Sequence, residues 1–278
     1  MIKILTDSCA DLNQDLISRF DIHTISLTVF INGKIYHDGV DISLPELYRQ
    51  IDTSRELPKT SAPSVAEFQT FFQSIPGNLI YIGIGSKLSA TFQNAFLASN
   101  TLPERKIHIL DSRNLSTGIG LLVLRAADLR DQGMAADEID REIQTLLPKV
   151  HTSFVVDTLE YLYKGGRCSA VENIVGSLLK IRPVIEVKPD GSLDIKEKTR
   201  GTRKKALTYL LDDFKAHLPN IDLHRVFVTH TGCTDDSNFL AEELRNMAAI
   251  EEIYITTAGC TISSHCGPGT IGILFLEK

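Results

Sequence analysis

The residues best suited to chemistry in this chain are hydroxyls set in turns. Thr60-Ser61-Ala62-Pro63-Ser64 places three of them within five residues, and Ser86-Lys87-Leu88-Ser89-Ala90-Thr91 adds three more. Thr6-Asp7-Ser8, Asp111-Ser112-Arg113 and Ser116-Thr117 are of the same kind. A hydroxyl donates one hydrogen bond without bringing charge. Several such groups around one anion, with no phosphate loop and no arginine cluster, suit a carboxylate better than a nucleotide. His265 stands just before the turn Gly267-Pro268-Gly269. Glycines let a ligand approach the backbone closely, and histidine can donate to a carboxylate near neutral pH. A hydrogen-bonded structural role for His265 carries equal weight.

Other chemistries fit less well. Gly83-Ile84-Gly85-Ser86-Lys87-Leu88-Ser89 lies where a phosphate loop would, between an apolar run and a helix start. Lys87 does not follow a glycine, however, and leucine comes after it. The loop can still offer N–H groups and the Ser89 hydroxyl to an anion; equally, Ser89 can simply cap the helix. Gly267-Pro268-Gly269-Thr270-Ile271-Gly272 matches G-x-G-x-x-G by letter, but it precedes a strand and Pro268 removes a donor. There is no G-x-S-x-G elbow and no H-E-x-x-H. His265, Cys266 and Cys260 converge poorly on one metal ion, because adjacent residues point apart.

The elements that must carry these turns alternate between strand and helix. Ile2–Leu5, Leu79–Ile84 and Lys106–Leu110 read as strands of a parallel sheet, each running into one of the polar turns. The carboxyl edge of such a sheet is where open α/β folds bind ligands. Thr24–Ile31 reads as one strand, and Asn32-Gly33 turns it into a hairpin with Lys34–His37. Ser64 and Glu67 have capping-box spacing before a helix. After Pro148 come strands at Ser153–Val156, Val184–Val187, Leu193–Lys196, Val226–Thr229, Ile253–Thr256 and Ile271–Leu276, with helices between most of them. The expectation is two α/β domains, 1–150 and 151–278, with mostly parallel sheets and the ligand at their interface. Val171, Ile174, Val175, Leu178 and Leu179 form a helical stripe that can line a channel or simply fill a core.

Composition narrows the class. The 278 residues carry net charge −6, spread over both halves, which argues against nucleic-acid binding. One local exception is the basic run Lys196, Lys198, Arg200, Arg203, Lys204 and Lys205, interrupted by one acid, Glu197. It reads as a solvated helix start or as a docking patch for an acidic partner. Five cysteines without a C-x-x-C pair, the absence of a signal-peptide layout, and no apolar run near ~18 residues point to a soluble cytoplasmic protein.

In combination, these residues resemble the DegV family of bacterial fatty-acid-binding proteins over nearly the whole chain. The matching motifs are Thr6-Asp7-Ser8 with Asp11-Leu12, Thr60-Ser61-Ala62-Pro63-Ser64 and Leu88-Ser89-Ala90-Thr91-Phe92-Gln93-Asn94-Ala95. Asp111-Ser112-Arg113, Lys164-Gly165-Gly166-Arg167, Lys180-Ile181-Arg182-Pro183, His230-Thr231-Gly232-Cys233 and His265-Cys266-Gly267-Pro268-Gly269 continue the match. Members commonly have Gly at the positions of Lys87 and Ala90, Thr at Cys266 and Lys at Arg182.

The resemblance implies a carrier rather than an enzyme, without a cofactor. It implies one buried long-chain fatty acid such as palmitate, stearate or oleate. A separate fatty-acid kinase would phosphorylate the bound carboxylate to an acyl phosphate. Thr60 and Ser89 fall on the family's carboxylate contacts, His265 on the histidine near the head group and Arg167 on an arginine close by. Arg200 resembles a position that engages the kinase, and Arg203 in the same run is expected to share that role. A phosphotransferase related to dihydroxyacetone kinases, or a ligand-responsive regulator, are the other functional classes considered.

Overall fold

The computed structural model describes residues 1–168, 170 and 181–278. The stripe from Val171 to Leu179 lies outside them. In chain order the first elements are β1 (Ile2–Asp7), α1 (Gln14–Arg19), β2 (Ile22–Ile25), β3 (Thr28–Ile31) and β4 (Lys34–His37). Then come α2 (Leu44–Ser54), β5 (Lys59–Ser61), α3 (Val65–Ser74), β6 (Asn78–Gly83), α4 (Thr91–Asn100) and β7 (Ile107–Asp111). Helices α5 (Thr117–Asp131) and α6 (Ala136–Leu146) lead to β8 (Val150–Val155), α7 (Glu160–Gly165), β9 (Ile181–Val187) and β10 (Leu193–Arg200). The chain closes with α8 (Arg203–His217), β11 (Ile221–His230), α9 (Thr234–Met247), β12 (Glu252–Thr257), α10 (Cys260–Cys266) and β13 (Ile271–Glu277).

The first sheet has the order β2-β1-β6-β7, and every pairing in it is parallel. Leu79, Ile80, Tyr81 and Ile82 are all buried, which explains why β6 is an unbroken apolar run. A small sheet, β4-β3-β5, is antiparallel. Its hairpin turns on Asn32 and Gly33, at φ 52 and 73, the left-handed pair that a two-residue turn requires. The run Thr24–Ile31 is therefore two strands in two sheets, not one. The chain changes sheet at Leu27, whose N–H is taken by the Ser8 hydroxyl at 3.1 Å and whose carbonyl accepts from the Asp38 N–H at 2.9 Å.

The third sheet, β10-β9-β8-β13-β11-β12, departs from the parallel expectation. Only β11 and β12 pair in parallel; the other neighbours are antiparallel. Pro189-Asp190-Gly191 turns β9 into β10 as an antiparallel hairpin, and these are the strands expected at Val184–Val187 and Leu193–Lys196. An intervening helix does not by itself make a parallel crossover: α7 lies between β8 and β9, and α9 with β12 and α10 between β11 and β13, yet both pairs are antiparallel.

Between the first and third sheets lies α5, buried at eleven of its 15 residues. It packs against β1 and β6 on one side and β8, β11 and β13 on the other. One core cluster therefore joins Ile4, Ile80 and Ile82 through Leu121 and Leu122 to Phe154, Ile185, Phe227 and Leu274. A Cβ at Gly120 would come 3.2 Å from the Ala10 carbonyl and press on the Leu12 methyl at 2.9 Å, so glycine eases the close approach of this helix.

Candidate functional site

A cavity of about 260 Å³ opens where the carboxyl end of β6, strand β5, helix α10 and the end of α7 meet. Its apolar wall includes Leu27, Ile84, Leu88, Leu115, Leu162, Leu193 and Ile262. Its polar wall includes Thr60, Ser61, Ser89, Arg167, Thr261 and His265. The four residues expected at the head group thus line one cavity, although they come from four separate segments.

Thr60 Oγ1 lies 2.8 Å from His265 Nε2. The other ring nitrogen, Nδ1, is buried without a partner. A Cβ at Gly165 would sit 2.5 Å from that nitrogen, so the glycine makes room for the ring. Burial, reinforced by the nearby Arg167 guanidinium, pushes His265 down to about 4. The ring is therefore neutral at pH 7. Arg167 remains as the one charged group among the described lining residues. Its guanidinium donates to the carbonyls of Gly165 at 2.6 Å and Leu88 at 3.3 Å, which ties the glycine beside His265 to the turn before Ser89.

Ser89 Oγ and Thr91 Oγ1 are 2.8 Å apart, and Ser89 also accepts from the Thr91 N–H at 3.3 Å. Helix α4 begins one residue later than expected, with Ala90 at its N-cap and no side-chain cap. Ser89 thus sits in front of a ten-residue helix whose positive end favours an anion. The other hydroxyl turns build the scaffold. The Thr6 hydroxyl donates to the Ile82 carbonyl at 2.7 Å. Asp7 collects the Tyr81 hydroxyl at 2.7 Å, the Ile84 N–H at 2.9 Å and the Cys9 N–H at 3.0 Å. Asp111 holds the N–H groups of Ser86 and Arg113, both at 3.0 Å. Neither of these two turns lines the cavity.

Sequence reasoning missed two features. The contact of Gly165 with His265 has no local signature, and the sequence predicts no helix at 260–266. Cys260-Thr261-Ile262-Ser263-Ser264-His265-Cys266 consists of middling helix formers with no apolar stripe. Thr261 and His265, four residues apart, was the one available signal of a shared helical face.

The basic run is divided by the fold. Lys196, Lys198 and Arg200 are on β10, and only Arg203, Lys204 and Lys205 open α8. Arg203 is held by Asp157 at 2.8 Å and Asp236 at 2.5 Å. Arg200 is exposed and makes no salt bridge among the described residues. Lys196 lies 2.7 Å from Asp213 Oδ1 and 3.3 Å from His151 Nε2. Together with His217, that aspartate and histidine form the one group of ligand-like spacing among the described residues. The lysine ammonium already neutralises its carboxylate, so this group reads as a closed ion network rather than a metal centre.

Comparison with known proteins shows the family and the fold. The family model described as "uncharacterised protein, DegV family" matches residues 1–278. A DegV domain-containing protein of Caldanaerobacter subterraneus subsp. tengcongensis is 34% identical, covering 100% of this chain and 99% of its own. The structure of a fatty-acid-binding DegV family protein from Thermus thermophilus superposes with a TM-score of 0.93 at 31% identity, covering 100% and 99% of the two chains. That of DegV, a fatty-acid-binding protein from Bacillus subtilis, gives 0.90 at 27% identity with the same coverage. The chain belongs to the DegV family.

Proposed function

We propose that this protein carries one long-chain fatty acid, such as palmitate, stearate or oleate, and presents its carboxylate to a fatty-acid kinase. The observation that carries the proposal is the Thr60–His265 pair on the wall of an otherwise largely apolar cavity. A neutral His265 with its proton on Nε2 donates to Thr60 Oγ1. The Thr60 O–H is then directed away from the ring, toward an acceptor in the cavity. Thr91 can support Ser89 in the same way, and Arg167 supplies the countercharge. The opposite tautomer would turn a Thr60 lone pair toward the carboxylate, so an anion selects the first.

The tail supplies the affinity. About 15 buried methylenes at about 0.8 kcal/mol each give a gross drive near 12 kcal/mol, from which association takes about 4–15 kcal/mol. The head-group contacts then fix orientation. In the handover, a carboxylate oxygen attacks the γ-phosphoryl group of ATP held by the kinase, giving acyl phosphate and ADP. This chain acts as carrier, not catalyst, in the cytoplasm, and no described helix is long and apolar enough to cross a membrane. Arg200 and Arg203 lie on the face that meets the kinase. Residues 1–150 and 151–278 form two domains that share the α5 core, with the ligand held at their interface.

Mass spectrometry of an organic extract of the purified protein tests the reading. The expected result is about one long-chain fatty acid per chain. Release of a water-soluble metabolite alone, or no binding at saturating added fatty acid, would refute it.

A further inference from the structure

Helix α10, which carries His265, is gripped at its start by carboxylates from the first half of the chain. It has seven residues, so most of its N–H groups have no acceptor within the helix. Asp11 Oδ1 accepts from the Gly259 N–H at 2.8 Å. Asp38 Oδ1 accepts from the Cys260 N–H at 2.7 Å, and its Oδ2 from the Thr261 N–H at 3.0 Å. Gly259 must be small here, because a Cβ would come 3.0 Å from both Asp38 oxygens.

These carboxylates are costly to keep. Asp38 is 2% exposed and Asp11 6%. Burial raises both carboxyls despite the donors around them. A feature that costs stability to hold a short helix by its first turn calls for a reason at the other end of that helix.

That end is the cavity. Asp38 directly follows β4, which pairs with β3, which in turn pairs with β5, the strand of Thr60. The small sheet therefore touches α10 twice. Asp38 holds the Cys260 and Thr261 N–H groups, and Thr60 meets His265 one turn later, about 6 Å along the axis. Two points of attachment fix both the position and the rotation of a helix; one alone leaves it a pivot. We propose that Asp38 is a positioning residue for the carboxylate site, setting the Thr60–His265 hydrogen bond through the start of α10, with Asp11 in support. The inference rests on the reading that Thr60 and His265 hold a fatty-acid carboxylate.

Stearate and stearyl alcohol share a tail, so the ratio of their affinities isolates the head group. In Asp38→Asn the acid-to-alcohol ratio is expected to fall about tenfold, with alcohol affinity unchanged. The ¹⁵N signals of His265 should shift as its Nε2 partner moves. Asp11→Asn, which holds α10 by the Gly259 N–H alone and otherwise accepts from the Ser116 hydroxyl at 2.5 Å, should give a smaller fall in the same direction, and it decides the question if Asp38→Asn does not fold. Equal losses for acid and alcohol, or an unchanged ratio with unchanged His265 signals in a folded variant, would overturn the inference. Wild-type protein that does not prefer the acid would instead overturn the carboxylate reading on which it rests.

Discussion

His265 and His151 occupy opposite kinds of polar environment. His151 lies among Asp213, Lys196, Ser153 and His217, stacked on Phe275 with ring centroids 4.5 Å apart. Burial alone would raise the Asp213 carboxyl, but hydrogen bonds from His151 and Lys196 outweigh it and hold it at about 2. Every charge there has its opposite. His265 has no acidic partner, one nitrogen on a hydroxyl and one on nothing. A group built for stability consumes its donors internally, whereas a group built to receive an anion keeps donors and one positive charge in reserve. The contrast separates a receptive site from a saturated one better than residue type does, since both contain histidine and hydroxyl.

The largest expected effect that tests this contrast is acid lability. His265 titrates at about 4 in the folded chain against an ordinary 6.5. A depressed histidine contributes no penalty above pH 6.5. As pH falls below that, the unfolded chain takes up the proton first and stability is lost, levelling off near pH 4. The full loss is about 3 kcal/mol. Urea melts of ligand-free protein at pH 7, 5.5 and 4.5 should show it, and His265→Gln should flatten this part of the pH profile. Wild-type and variant curves that run parallel would show that His265 is not the unmet group described here.

The saturated network is tested by Lys196→Met. It leaves the Asp213 carboxylate with the histidines and the Ser153 hydroxyl and should cost about 1–2 kcal/mol at pH 7, discounted for partial exposure. The part of that stability due to Asp213 persists above its ordinary value of 3.8 and is lost as pH falls toward 2. Fatty-acid affinity should not change. If Lys196→Met altered fatty-acid binding as much as folding, the two regions would not be independent.

Smaller effects sharpen the receptive side. Thr60→Ala with Ser89→Ala should weaken stearate by roughly 0.5–3 kcal/mol per hydroxyl and stearyl alcohol hardly at all. Kinase turnover at matched occupancy should fall further. Identical turnover would remove these hydroxyls from the head group. The smallest effect belongs to Arg200→Ala, expected to slow handover to the kinase several-fold at low salt and less at high salt, with lipid binding intact. Insensitivity to both mutation and salt would leave the exposed basic residues as a solubilising surface.

Of this contrast, the receptive side is the one legible in the sequence. The strand-to-turn junctions at Asp7, Gly83 and Asp111 follow from apolar runs that end in polar residues. Thr60, Ser89, Arg167 and His265 were singled out, and they line one cavity. What sequence could not supply was partnership. Lys196 and Arg200 belong to the same basic run, yet one is consumed by Asp213 and the other is exposed, because that choice depends on where α8 packs. Asp38 carries no local signal of its role, since its partners lie 222 and 223 positions away. The antiparallel third sheet was hidden for a similar reason: strand order is settled by long-range pairing that local periodicity does not encode.

Helix α5 has a thermodynamic consequence. Its two flanks are the cores of both large sheets, so neither sheet can lose its packing without exposing the same buried helix. Melting of one half would strip apolar surface from the other, and the free energies of the two cannot be separated. Calorimetry should therefore record a single transition whose van't Hoff and calorimetric enthalpies agree, and the amides of Leu121 to Leu124 should exchange with solvent only on global unfolding.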